Sequence, residues 1–168
     1  VDLFGLSADY EEIDRIAKKY DLFVLEDAAQ GFGGTDQGKR AGAHGDVAAT
    51  SFFPAKPLGC YGDGGAIFTD DDELAALMSS IRVHGQGTDR YDNVRIGING
   101  RLDAMQAVVL LAKLKVFDEE LVKRNEVAAE YTRQLQDVFK TPVVPEGKMS
   151  SWAQYPIQAK DRAQRDHI

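Results

Sequence analysis

The sequence predicts an α/β fold with a mainly parallel sheet, and three observations carry that prediction. An amphipathic helical segment at 10–20 leads directly into the apolar run Leu22-Phe23-Val24-Leu25, which stops at Glu26-Asp27. That is the pattern of a buried strand whose carboxyl end reaches polar space. Two further strand-like runs, 47–53 and 66–69, follow, and a helical pattern comes after the second. Helix and strand therefore alternate, the order expected of layered α/β proteins.

Each element has a local cause. Asp9 and Glu12 have capping-box spacing, and Tyr10, Ile13, Ile16, Ala17 and Tyr20 recur at helical intervals. Residues 31–45 hold six glycines and little apolar periodicity, so they read as one long connection, a length usually tied to function. Asp70 and Glu73 cap a helix through Arg82. Residues 102–116 read as a helix apolar on most sides and hence buried, and 118–139 as a helix with one solvated face. Pro142 and Pro145 break the chain, and one strand is expected at 152–158. The organisation predicted is a cofactor-sized α/β portion over 1–118 and a connecting helix with an incomplete small domain over 119–168, the tail being too short to bury a core of its own.

Composition narrows the function. The 168 residues are 43% apolar and carry a net charge of −7, which suits a globular protein and opposes non-specific binding to nucleic acid or an anionic membrane. The longest apolar run, 107–112, is far short of the roughly 20 residues a membrane helix needs. The start lacks the sections of a secretory signal, and a single cysteine, Cys60, fits a cytoplasmic setting; a first residue of Val suggests that the natural beginning lies upstream. His44, His84 and His167 lack metal-ligand spacing, so no metal site is expected. Gly59, Gly62 and Gly64 do not have the dinucleotide-binding order and precede a strand rather than a helix.

Chemistry concentrates at two strand ends. Asp27 closes one strand and Ser51-Phe52-Phe53-Pro54-Ala55-Lys56 closes another, and ligands of open α/β sheets bind outside such ends. Pro54 and Pro57 restrict the backbone on both sides of Lys56. Singly, a strand-end Asp is as readily a turn residue and a lone Lys a solvated one; a fixed lysine near a carboxylate suits Schiff-base chemistry.

The runs Glu26-Asp27-Ala28-Ala29-Gln30, Ser51 to Gly59 and Gly62-Asp63-Gly64-Gly65-Ala66 resemble the signature of the DegT/DnrJ/EryC1/StrS family of sugar aminotransferases. The likeness continues through His84-Gly85, Tyr91, Gly97 to Arg101, Gln106-Ala107 and Trp152 to Tyr155. Members are fold-type-I enzymes that depend on pyridoxal 5'-phosphate and run to about twice this length. The resemblance implies that the chain begins mid-way through the large domain and ends within the small one.

By motif, the resemblance makes Lys56 the Schiff-base lysine and catalytic base, and Asp27 the partner of the pyridine nitrogen. Ser51 would donate to the cofactor phosphate, Gln30 would contact the ring's phenolic oxygen, and Ala29 would pack beneath the ring. Asn99 would reach the phosphate of the neighbouring subunit of a homodimer with shared active sites, and Arg101 would position that segment or an anionic substrate group. Without the resemblance, these residues read as ordinary strand, loop, core and turn residues.

Family dehydratases carry histidine where position 56 is lysine, so aminotransfer is expected. The implied reaction moves an amino group from glutamate to a keto nucleotide sugar, a UDP-linked 3-keto N-acetyl sugar or sugar acid destined for surface polysaccharide. The alternatives are a non-catalytic remnant or oligomerisation module and a pyridoxal-phosphate-dependent sugar dehydratase.

Overall fold

The computed structural model describes residues 1–89 and 91–168. Helix α1 (Tyr10–Tyr20) starts where the capping box predicts, with the Asp9 carboxylate accepting the Glu12 N–H at 3.2 Å. Tyr10 and Ala17 turn its apolar stripe inward.

Strand β1 covers only Leu25–Asp27, and its burial is the reverse of the expectation. Leu22, Phe23 and Leu25 are 57%, 62% and 64% exposed, while Glu26 is fully buried. The Glu26 carboxyl tolerates this because its two oxygens accept the backbone N–H groups of Gly42 (2.6 Å) and His44 (2.7 Å).

Strand β4 (Val47–Ser51) lies between β1 and β5 (Gly65–Phe68). β1 and β4 run parallel, with Asp27 opposite Ala49, whereas β4 and β5 run antiparallel, with Ser51 opposite Gly65. The α/β class stands, but the sheet within this chain is mixed. The connection 52–64 contains no crossover helix, so the chain can return only antiparallel.

The glycine-rich connection holds an unforeseen hairpin, β2 (Thr35–Asp36) and β3 (Lys39–Arg40). Its turn residues Gln37 and Gly38 both have positive φ, 49° and 79°, as tight hairpin turns require. Strand β6 (Lys148–Met149) adds to the other edge of β2. The strand expected at 152–158 does not form: Trp152 turns the backbone at φ 49°, and only Gln158 bridges, to Lys140.

Helices α2 (Asp72–Arg82), α3 (Ala104–Leu114), α4 (Phe117–Leu135) and α5 (Arg162–His167) follow, and a short 3-10 helix (Leu3–Gly5) precedes α1. Asp71, rather than Asp70, caps α2 through the N–H groups of Glu73 and Leu74. Helix α3 is less buried than its composition predicts. Leu110 alone is buried, and Met105, Val108 and Leu111 are exposed. No described helix is long and apolar enough to cross a membrane.

The core joins Phe52, Leu58 and Cys60 from the connection after β4 to Leu110 of α3 and Phe117 and Leu121 of α4. Phe32, itself only partly buried, packs against it, with ring centroids 6.1 Å from Phe52 and 6.0 Å from Phe117. Position 118/119 lies in the first turn of α4, whose Phe117 and Leu121 both enter this core.

Candidate active site

The parallel pairing of β1 and β4 puts Asp27 and Ser51 at the carboxyl ends of adjacent strands. Asp27 and Glu26 point to opposite faces by strand alternation, one exposed and the other buried. Beyond Ser51 the chain turns tightly, with Lys56 N–H donating to the Phe53 carbonyl at 2.9 Å. It then folds back on itself, Cys60 N–H donating to the Phe52 carbonyl at 2.8 Å. Lys56 is half-buried at the tip of this excursion.

A Cβ on Gly59 would lie 2.6 Å from the Pro54 carbonyl oxygen and 2.7 Å from that of Phe53, so the return path passes closer than any larger residue permits. Cys60 is fully buried, with its Sγ 3.0 Å from the carbonyl oxygens of both Phe52 and Gly62. Two residues of α3 clamp the same excursion from outside. The Lys113 ammonium donates to the Gly59 carbonyl at 2.6 Å, and the Gln106 amide oxygen accepts the Tyr61 N–H at 2.8 Å. Sequence reasoning gave Gln106 no task and overlooked Lys113; their seven-residue spacing, two helical turns on one face, was the available signal.

Segment 27–31 is equally well fixed. Ala29 N–H donates to Asp27 Oδ1 at 3.1 Å, and Gln30 Oε1 accepts the Phe4 N–H at 2.6 Å. The Ser151 hydroxyl donates to the Gln30 carbonyl at 2.6 Å, a tie across 121 residues that no local pattern announces. Asn99 stands apart: it forms a β-bridge with Val83 rather than joining Asp27, Ser51 and Lys56. Arg101 lines a separate concavity of about 550 Å³ with His84 and Asn93.

A concavity of about 960 Å³ lies between the sheet and α2 and is lined by Ala49, Ile67, Phe68, Met78, Arg82 and Ile98. None of the candidate residues lines it. Its walls are mostly apolar strand and helix faces, whereas the groups able to do chemistry converge at the strand ends, and the strand ends define the candidate site.

The residues there match the polar edge of a phosphorylated pyridine aldehyde. Asp27 has one carboxylate oxygen engaged by Ala29 N–H and the other unspent, suited to a ring N–H. Gln30 has its oxygen engaged, which leaves its amide N–H₂ to donate to a phenolate. Ser51 Oγ accepts the Phe53 N–H at 3.2 Å, so its own O–H remains available for a phosphate. Lys56 supplies an amine on the turn that follows.

Residues 1–168 match the DegT/DnrJ/EryC1/StrS aminotransferase family along their whole length. The chain belongs to this family. It is 51% identical over 163 residues to the UDP-2-acetamido-2-deoxy-3-oxo-D-glucuronate aminotransferase of Pseudomonas aeruginosa, a match covering 96% of this chain and 45% of that protein. It is 37% identical to the UDP-N-acetyl-3-dehydro-alpha-D-glucosamine 3-aminotransferase of Acidithiobacillus ferrooxidans, covering 96% of this chain and 44% of that one. A crystal structure of a family aminotransferase from Brucella abortus superposes with a TM-score of 0.94 at 54% identity, over 96% of this chain and 43% of that one. The NtdA structure from Bacillus subtilis, which holds the cofactor PMP, superposes with a TM-score of 0.83 at 33% identity, over 98% and 38% of the two chains. The chain thus spans a little under half the length of the curated relatives it matches. The fold is that of the fold-type-I transferases, and the family depends on pyridoxal phosphate.

Proposed function

We propose that the protein transfers an amino group from glutamate to a UDP-linked 3-keto N-acetyl sugar or sugar acid, in the cytoplasm, as a step toward surface polysaccharide. The observation that supports this reading is the placement of Asp27 and Ser51 at the carboxyl ends of two paired strands, with Lys56 on the turn that follows Ser51. The sugar class rests on the names of the Pseudomonas and Acidithiobacillus relatives.

Lys56, Asp27, Gln30, Ala29 and Ser51 would hold pyridoxal phosphate, with Asn99 reaching the site of a second subunit in a homodimer. Bound there, the cofactor supplies an electron sink conjugated to the substrate's amino-bearing carbon. The Asp27 carboxylate would lie beside the pyridine nitrogen and so favour its protonated, electron-accepting form. Ser51 and Gln30 orient the ring through its phosphate and phenolic oxygen. Ala29 adds a small apolar support below it. Lys56 acts as the base: its ε-amine would remove the proton from the donor's α-carbon and deliver it to the carbon on the far side of the transferred nitrogen, and the reverse sequence would run on the keto sugar. The proline-bracketed turn and the α3 clamp confine that amine to one path. The division at 118/119 into cofactor domain and small domain belongs to the same proposal.

The test is glutamate half-transamination in the full-length protein, followed by cofactor absorbance, with borohydride trapping mapped by mass spectrometry. Trapping on Lys56 and loss of both signals in Lys56→Ala are expected. A reducible cofactor adduct that persists in Lys56→Ala would refute the assignment.

A further inference from the structure

Directly behind Asp27 lies a buried acidic pair. Glu26 and Asp2 are both fully buried and belong to one cluster: Tyr10, which donates to Asp2, stacks on His44, whose backbone N–H donates to Glu26, and Asp2 acts to raise the Glu26 pKa. Three of the four oxygens have N–H or O–H donors. Glu26 Oε1 accepts from Gly42 N–H and Oε2 from His44 N–H, while Asp2 Oδ1 accepts from Ala8 N–H at 3.2 Å and Tyr10 O–H at 2.8 Å. The fourth, Asp2 Oδ2, is buried without a donor. Among the described residues no lysine or arginine forms an ion pair with either carboxyl.

Two ionised carboxylates in contact, dry and without a counter-charge, are not a stable arrangement. One proton between them resolves both the repulsion and the orphaned oxygen. We infer that Glu26 is a positioning residue: its carboxyl keeps a proton that it donates to Asp2 Oδ2, and this bond fixes the strand end presenting Asp27. The inference rests on the proposed function only for the task of Asp27.

The mechanical link is short. Asp2 N–H donates to the Asp27 carbonyl at 2.9 Å, and a Cβ on Gly31 would collide with Asp2 Oδ2, so the Asp2 side chain abuts the segment 27–31. The surrounding charges do not replace the proton. Tyr10 from α1 is already donating, and burial, with Asp2 adding to the effect, raises its pKa far above the ordinary value. His44 stacks on Tyr10 at 4.3 Å, and its pKa is lowered, first by burial and then by Lys39, so it favours the neutral form. Asp14 on α1 and Asp36 on β2 add only negative charge nearby. The Lys148 ammonium is engaged by Asp36 and by the Ser7 and Ala8 carbonyls. Glu26 is itself raised, to about 7, chiefly by burial and further by Asp2, against the opposing pull of the Gly42 and His44 N–H groups.

The sign follows from linkage. A carboxyl raised from 4.5 to about 7 on folding stabilises the fold most below 4.5, and that contribution is lost as pH rises to about 7.

The experiment uses the full-length holoenzyme, Glu26→Gln and Asp2→Asn. The second substitution places an amide N–H₂ where the orphaned oxygen lies, so the new side chain can donate to Glu26 without a shared proton. Expected are an infrared carbonyl band of a protonated carboxylic acid that vanishes in Glu26→Gln, and a thermal midpoint whose fall between about pH 4.5 and 7 is lost in Glu26→Gln and reduced in Asp2→Asn, where burial still acts on Glu26. The pH dependence of the bound cofactor's visible spectrum should also flatten in Asp2→Asn. Absence of the infrared band, or an Asp2→Asn midpoint with the parent's pH slope, overturns the shared proton. An Asp2→Asn cofactor spectrum with the parent's pH dependence overturns the positioning role. The infrared and thermal results need no activity, so failure of the catalytic reading at Lys56 would leave them standing and remain distinguishable.

Discussion

Replacing Lys113 with methionine removes one charged hydrogen bond from the excursion that carries Lys56 while keeping most of the side chain's volume. Lys113 Nζ lies 2.6 Å from the Gly59 carbonyl oxygen, and Gly59 is buried. A hydrogen bond to a charged group contributes about 1.5–3 kcal/mol, and an abandoned buried acceptor costs a similar amount. The same ammonium lies 5.8 Å from the Tyr61 ring, a contact worth about 0.5 kcal/mol at so exposed a site. The loss is therefore about 2–3 kcal/mol, and it is local, because Cys60 and Gly59 still tie the excursion to Phe52 and Pro54. If the transition state needs Lys56 held in one direction, that energy corresponds to roughly a 30- to 150-fold fall in kcat, at about 1.4 kcal/mol per tenfold. KM should move only a few-fold, since Lys113 touches the excursion rather than the ligand. Single-turnover half-transamination with glutamate in the full-length protein measures this. A Lys113→Met enzyme whose kcat stays within about twofold of the parent would refute the clamp.

Two stability predictions follow from the same framework. Leu121→Ala empties a position 3% exposed in the core against Phe117 and Gly33, and should cost about 2–5 kcal/mol by denaturant unfolding; a loss below about 1 kcal/mol would contradict the packing described. Lys148→Met leaves the largely buried Asp36 carboxylate without the ammonium 2.9 Å away and should cost about 3–5 kcal/mol, much of it recovered when Asp36→Leu is added; equal destabilisation of single and double variants would show that the pair is not the cause.

How much was legible depended on range along the chain. The cap at Asp9, the helix start at Tyr10 and the strand at 47–51 follow from residues within a turn of one another. The placement of Asp27 and Ser51 at strand ends, with Lys56 on the turn beyond, was legible because strand ends and bracketing prolines are local features too. The tight turn at Gln37-Gly38 was legible in principle, but only two residues pair on each side, too few to raise a period-two pattern above the glycine background. The exposure of Leu22, Phe23 and the outer side of α3 was not legible, because an apolar pattern states that a face can be buried, not that this stretch of chain supplies the cover.

By itself the sequence determined the family and the order of α1, β1, β4, β5, α2, α3 and α4, and it named the side chains proposed here for a pyridoxal phosphate site. Only the tertiary structure decided that β5 returns antiparallel, that Lys113 and Gln106 hold the excursion, and that Glu26 faces Asp2 in the dry interior behind Asp27. The physical reason is that periodicity and capping act over a few residues. The bonds that fix the site join residues 26, 45, 54 and 121 positions apart, and such closures arise only once the whole chain has packed.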